Sequence, residues 1–182
     1  MSGDIFQGLA LLQDAVPDAD ATGLARDLFI APENLVEAAR RLLAADYHLE
    51  DISGLDTAEA ILVNYHFIRF DCAERMALRV IAPHHCPSVP SIAAIYGGAE
   101  WHERELSDFF GVVFPGNPNP VPLLLPDTGV TTPLLKSENK RVSIRTLIRP
   151  GRIVYQDPGF TIFTSQESSD ATRPTESKEA EA

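Results

Sequence analysis

The chain has 182 residues, 26 acids against 15 lysines and arginines, a net charge of −11 and 45% hydrophobic residues. That length holds one domain with tails, and that apolar content builds a core of useful size. The acidity argues against a nucleic-acid partner, which would need a basic patch, and suits a soluble protein or an acidic subunit facing a basic one.

Cys72 and Cys86 form no CxxC pair, which argues against a disulfide framework or a zinc ribbon. Reduced cysteines in a cytoplasmic protein are the default. The start of the chain lacks a basic n-region and carries Asp4, which argues against a signal peptide. No window approaches the roughly 20 apolar residues of a membrane span.

Residues 4–14 could form a short amphipathic helix through Ile5, Leu9 and Leu12, but a loosely docked N-terminal segment is the reading preferred. Val16 to Gly23, with Pro17, Asp18 and Asp20, reads as a linker. Asp27 to Ala31 is a short strand candidate, and Pro32 stands at a helix start, where its missing N–H costs nothing. Leu35, Ala38, Ala39, Leu42 and Leu43 mark the apolar face of a helix ending near Asp46. Tyr47 to Leu55 reads as extended, with a turn at Gly54 and Asp56. Ala60 to Phe70 and Met76 to Ala82 read as two strands of an antiparallel hairpin. Pro83 to Pro90 is a loop, and Ser91 is placed to cap a helix carrying Ile92, Ile95 and Tyr96. Gly97 and Gly98 bend that helix, which resumes from Ala99 to Phe110.

From Trp101 to Gly111 the chain reads Trp-His-Glu-Arg-Glu-Leu-Ser-Asp-Phe-Phe-Gly. On a helix, Glu100, Arg104 and Asp108 stack at i, i+4 and i+8, a ladder of alternating sign. Leu106, Phe109 and Phe110 gather on another face, and Gly111 stands where a left-handed C-terminal cap is wanted. The plain reading is a solvated face over a core. The sharper reading is a docking helix, since arginine and aromatics suit protein interfaces. Catalysis carries little weight. Glu103 and Glu105 point to nearly opposite sides, and Arg104 would keep Asp108 ionised and structural.

Beyond Gly111, six prolines between Pro115 and Pro133 exclude helix and central strand, leaving an extended arm. The arm carries Val112, Val113, Phe114, Val121 and Leu123 to Leu125, so it wants a surface to lie on. Weak strands are expected around Val142–Ile144 and Phe160–Thr164. Gln166 to Ala182 is a polar acidic tail without the residues to order itself. The expected fold class is α+β: a small, mostly antiparallel sheet with two main helices on one face, an extended Pro-rich arm and a disordered acidic tail. The corresponding divisions are 1–26, 27–114, 115–165 and 166–182.

Other constellations are weaker. His84, His85 and Cys86 are ligand types, but consecutive side chains diverge. A nucleophilic Cys86–histidine pair has no oxyanion-hole glycine motif beside it. His66 lies on a strand as a core or edge histidine. Neither a GxGxxG nor a GxxxxGK[ST] loop is present, and no signature for iron–sulfur ligation occurs.

Glu103-Arg104-Glu105-Leu106-Ser107-Asp108-Phe109-Phe110-Gly111-Val112 resembles the signature of the 30 kDa subunit of respiratory complex I, the C subunit of bacterial NADH:quinone oxidoreductase. Tyr47 to Asp56, Val63 to Phe67, Val89-Pro90-Ser91, Ala99-Glu100-Trp101 and Leu125-Pro126-Asp127 resemble further family segments, over roughly Asp27 to Lys136. Ser107 stands where the family carries an aromatic, Asn117-Pro118 replaces a His-Pro pair, and Thr132 to Lys136 only loosely echoes His-Pro-Leu-Arg-Lys-Asp. Related subunits serve membrane-bound [NiFe] hydrogenases and formate hydrogenlyase.

The resemblance implies a peripheral-arm subunit without catalytic, cofactor-binding or metal residues of its own. It would sit on the inner face of the cell membrane through its complex. Its partners would be the large, 49 kDa-type subunit that helps form the quinone site and the iron–sulfur subunits of the arm. Its interface would use Glu100, Trp101, Glu103, Arg104, Glu105, Asp108, Phe109, Phe110 and Gly111. The competing expectations are the equivalent hydrogenase subunit, a stand-alone metal- or thiol-dependent enzyme, and a free assembly or regulatory factor.

Overall fold

The computed structural model describes residues 5–126, 129 and 131–163. In chain order the elements are β1 (Leu11–Val16), α1 (Ala19–Thr22), β2 (Arg26–Ile30), α2 (Leu35–Ala44), β3 (His48–Asp56), β4 (Ile61–Arg69), β5 (Glu74–Ala82), α3 (Ala99–Phe110), α4 (Ile144–Leu147) and β6 (Arg152–Gln156). The six strands form one sheet in the order β3-β4-β5-β2-β1-β6. Every pairing is antiparallel except β2 with β5. This is the α+β architecture expected, with a mostly antiparallel sheet.

The β4–β5 hairpin sets the frame. Its register runs unbroken from Ile61 opposite Ala82 to Arg69 opposite Glu74. Side chains alternate between the faces, so Ile61, Val63, Tyr65 and Phe67 join Met76, Leu78, Val80, Leu28 and Ile30 in the main core. The same core takes Leu35, Ala38, Ala39 and Leu42 from α2 and Leu106 and Phe110 from α3. The opposite face gives Phe29 and Leu62 to a second cluster with Ile144, Phe160 and Phe163, flanked by Leu12, Leu55, Ile81 and Ile148. The rings of Phe160 and Phe163 lie 5.3 and 5.4 Å from that of Phe29. A sheet covered on both faces explains why β4 reads as a nearly continuous apolar run.

α2 forms because its apolar residues recur at helical spacing. It stops where the Ala45 N–H reaches back to Arg41 and Asp46 takes a positive φ of 64°. α3 ends as expected at Gly111, whose φ of 72° is left-handed and whose N–H bonds the Ser107 carbonyl.

Several local expectations are corrected. Among the described residues neither a helix through Ile5, Leu9 and Leu12 nor a loosely docked segment is found: Phe6 is buried in the core, and Leu11–Val16 is a strand between β2 and β6. The segment from Val16 to Gly23 contains the end of β1 and the single-turn α1, capped by the Asp18 carboxylate. Gly54 and Asp56 lie within β3 rather than in a turn. A Cβ on Gly54 would stand 2.7 Å from the Phe110 ring, so the bare backbone there lets α3 approach. The Ser91 hydroxyl accepts from the Ala93 N–H at 3.1 Å, as a cap does, but the run it opens is a single turn rather than the expected helix. The strand expected at Val142–Ile144 is one isolated bridge, Val142 with Thr57, followed by α4. The strand expected at Phe160–Thr164 is also absent among the described residues; the C-terminal strand is β6, and Phe160 and Phe163 serve as plugs over the sheet. The expected tail, 166–182, lies outside the described residues, as do Thr164 and Asp127.

Candidate functional site: the signature helix and its arm

α3 packs along β3 through the contact between Phe110 and Gly54. Its buried stripe is Ala99, Glu103, Leu106 and Phe110, with Arg104 buried beside it. Phe109 is partly buried against the core, and its carbonyl accepts from the Leu134 N–H. A charged residue within an apolar stripe needs partners, and Glu103, at 0% exposure, has three. Its carboxylate accepts from Ser91 Oγ at 2.6 Å, Ile92 N at 2.8 Å and Asn117 Nδ2 at 2.7 Å. Burial still pushes its carboxyl above the ordinary glutamate range, against those three hydrogen bonds. Glu103 thereby joins the helix to the loop before it and the arm after it.

The Glu100–Arg104 step of the ladder is formed at 3.8 Å. The next step is not a direct ion pair among the described residues. Arg104 instead donates from Nε to the Val121 carbonyl at 2.9 Å and from Nη2 to the Pro122 carbonyl at 3.1 Å. Its guanidinium also lies 5.2 Å from the centre of the Trp101 ring. Asp108 accepts three consecutive backbone N–H groups on one oxygen, from Leu123 at 2.9 Å, Leu124 at 2.7 Å and Leu125 at 3.1 Å. Burial raises its carboxyl, but the three amides and the Arg104 charge outweigh that and hold it below the ordinary aspartate range. Asn119 donates to Glu100 at 3.2 Å.

The charges of α3 therefore clasp the chain's own Pro-rich arm. Proline-rich backbone pairs poorly in regular structure, so side chains of the helix supply its partners. Among the predicted interface residues, Glu103, Arg104, Asp108 and Glu100 meet on the arm, and Phe110 and Gly111 set the helix and its end. Glu105 is half-buried and forms no ion pair among the described residues. Trp101 remains 58% exposed. The arm shows solvent its own apolar side chains: Val113, Val121, Leu134 and, at 57% exposure, Leu124.

A second fastening was missed by sequence reasoning. Asp56, at 0% side-chain exposure, accepts from His84 Nε2 at 2.7 Å, Lys136 N at 2.6 Å and Arg141 Nε at 3.0 Å. Burial pushes its carboxyl up, but these donors outweigh it and hold the group below the ordinary aspartate range. Nearby, Glu59 accepts from the Ser143 hydroxyl and from Ile144 N at 2.9 Å. Asp56 and Glu59 thus pin the chain where it leaves the arm and crosses onto the second face of the sheet. The available signal was a carboxylate at the end of an apolar strand. A further buried cluster joins Arg79 to both oxygens of Asp27, at 2.6 and 2.9 Å, and to Asn64 at 2.5 Å.

His84 is engaged with Asp56, while His85, Cys72 and Cys86 lie outside any such cluster, both cysteines exposed. His66 sits half-buried 3.8 Å from Asp51, and burial pulls its pKa below the usual histidine value. Among the described residues, no three His, Cys, Asp or Glu side chains are placed to hold a metal. No helix among them is long and apolar enough to cross a membrane.

Residues 28–142 match the family profile described as the respiratory-chain NADH dehydrogenase 30 kDa subunit. A Roseiflexus sp. (strain RS-1) protein, named as the C subunit of NADH-quinone oxidoreductase, is 36% identical over 140 residues, covering 70% of this chain and 80% of that one. A Methylococcus capsulatus protein, named as the C/D subunit of NADH-quinone oxidoreductase, is 36% identical over 86 residues, covering 47% of this chain and 15% of its own length. Among solved structures, a chain of the membrane-bound sulfane sulfur reductase, an archaeal respiratory membrane complex, shares the fold. It has a TM-score of 0.55 at 21% identity, covering 67% of this chain and 74% of that one.

Proposed function

The chain belongs to the respiratory-chain NADH dehydrogenase 30 kDa subunit family, and from that membership we propose that it is a non-catalytic structural subunit of the peripheral arm of an NADH:quinone oxidoreductase. It docks on the large, 49 kDa-type subunit that helps form the quinone site, and it sits at the inner face of the membrane only through the complex. Iron–sulfur neighbours carry the electrons past it, and it binds no cofactor itself.

One observation carries this reading. Arg104 and Asp108 hold Val121 to Leu125 by their backbone, which leaves the side chains of Val121 and Leu124 outside. Residues 112–126 contain no charged residue, in a chain of net charge −11. An ordered, uncharged, apolar surface is what the buried centre of a protein interface requires, and its order is paid for before binding. The Methylococcus relative supports direct contact with a second subunit, since its name joins C and D in one chain. The same docking role would serve a hydrogenase or formate hydrogenlyase complex, and the type of large subunit that co-purifies with the chain decides between them.

The test is co-expression with the large subunit. Leu124→Asp, at an exposed position, should leave the melting temperature unchanged and abolish co-purification. Arg104→Ala should loosen the arm as well, losing both co-purification and about 3 kcal/mol of stability, as when one partner of a buried charge contact is removed. Normal assembly of Leu124→Asp would overturn the docking surface.

A further inference from the structure

The chain's charge is not spread evenly. Residues 136–152 hold six of the 15 lysines and arginines but only one of the 26 acids. The strap they form starts at Asp56, bridges Thr57 through Val142, and lays Ile144 and Ile148 over the second sheet face. It ends where Arg152 pairs with Val16 at the far edge. From β3 to β6 the strap crosses five inter-strand gaps, about 24 Å. Its inward residues are apolar, and Arg141 is committed to Asp56. Lys136, Lys140, Arg145, Arg149 and Arg152 are all exposed, and none forms an ion pair among the described residues. Val142 and Leu147 are exposed between them.

We infer that this strap is a second interface, distinct from the clasped segment 112–126, which binds an acidic surface of another protein of the assembly. Arginines displayed beside aliphatic side chains match the composition of protein interfaces, and the guanidinium fork suits carboxylates held in fixed positions. Asp56 and Glu59 fix the strap to the sheet, so its cations are presented in a set spacing. A lipid surface is the poorer fit: α4 is a single turn, whereas a helix lying in a membrane interface needs a long apolar face. The inference rests on the reading of the chain as part of a complex, but not on where residues 112–126 dock.

The native complex containing the full chain tests it by carbodiimide coupling, which joins lysine amines directly to carboxylates they touch. Lys136 and Lys140 should couple to aspartates or glutamates of another subunit. The triple variant Arg145→Glu, Arg149→Glu, Arg152→Glu should keep its melting temperature. It should slow association with the complex by about tenfold, and the loss should shrink as salt rises. Coupling only within the chain, acids of residues 166–182 included, would overturn the inference, as would unchanged association. Strap-dependent binding of the wild-type chain to phosphatidylglycerol vesicles, without cross-links to any other polypeptide, would assign the surface to lipid instead. A wild-type chain that co-purifies with no other protein would sink the reading as a subunit and this inference with it; a complex that forms without these couplings would sink this one alone.

Discussion

Asp56, Asp108 and Glu59 are carboxylates whose folded environment favours the charged form, through amide, hydroxyl and cationic donors that outweigh burial. Their pKa values in the fold lie below those of the unfolded chain, so the stability they confer is complete above the ordinary carboxylate range and is lost as pH falls from that range down through the lower folded values. Glu103 runs the other way. Burial raises its pKa, so the fold retains a proton that the unfolded chain releases, and its contribution weakens as pH rises through that interval. Asp56→Asn keeps the shape but removes the charge facing His84 and Arg141, and should cost about 3 kcal/mol at neutral pH, as for other broken buried charge contacts. The same variant should show a shallower decline of the urea midpoint between about pH 5 and pH 3 than the wild type. An equally steep decline would mean that the acid sensitivity belongs to other groups. Apart from the Glu100–Arg104 pair, which forms at 3.8 Å, this pairing was not legible from residue types. The ladder from Glu100 to Asp108 was visible as a spacing, but what Arg104 and Asp108 hold are backbone atoms of Val121 to Leu125, and no side-chain pattern encodes which carbonyl or amide is chosen.

At the scale of elements, legibility followed periodicity. α2 and α3 bury long runs at the helical period, the β4–β5 hairpin buries two nearly continuous apolar runs, and the sequence pattern located all of them. β1 defeated it because Ile5, Leu9 and Leu12 fall by coincidence at helical spacing, while a register shift between Leu11 and Gln13 breaks the alternation of the strand. β6 was missed because four of its five residues are exposed and show no buried face. Gly54 was read as a turn since a bare backbone usually marks one, yet here it accommodates a helix. Gly54→Ala should press on the Phe110 ring and cost about 2 kcal/mol, the range for an overpacked contact. In a Phe110→Leu background most of that cost should vanish, and a double-mutant cycle in urea measures the coupling. Additive losses would show that α3 and β3 meet elsewhere.

Over the whole molecule, the sheet order places one element from each end of the described chain, β1 and β6, side by side at one flank. The segment that closes the second face, running from Ile144 to Phe163, comes after Phe29 and Leu62, the sheet residues it covers. A growing polypeptide therefore completes β4 and β5, and can bring α2 and α3 over one side, while Phe29, Leu62 and Ile81 still face water. During that interval the nascent protein has one side of its hydrophobic interior bare, the kind of surface that recruits chaperones or coalesces. Ribosome-bound chains halted so that only residues 1–143 have emerged should bind a hydrophobic-site dye and be cleaved readily by protease, and those exposing residues 1–163 should resist both. If the shorter chains proved equally protected, the sheet would be able to stand with one side uncovered, and translation would pass through no such hazard.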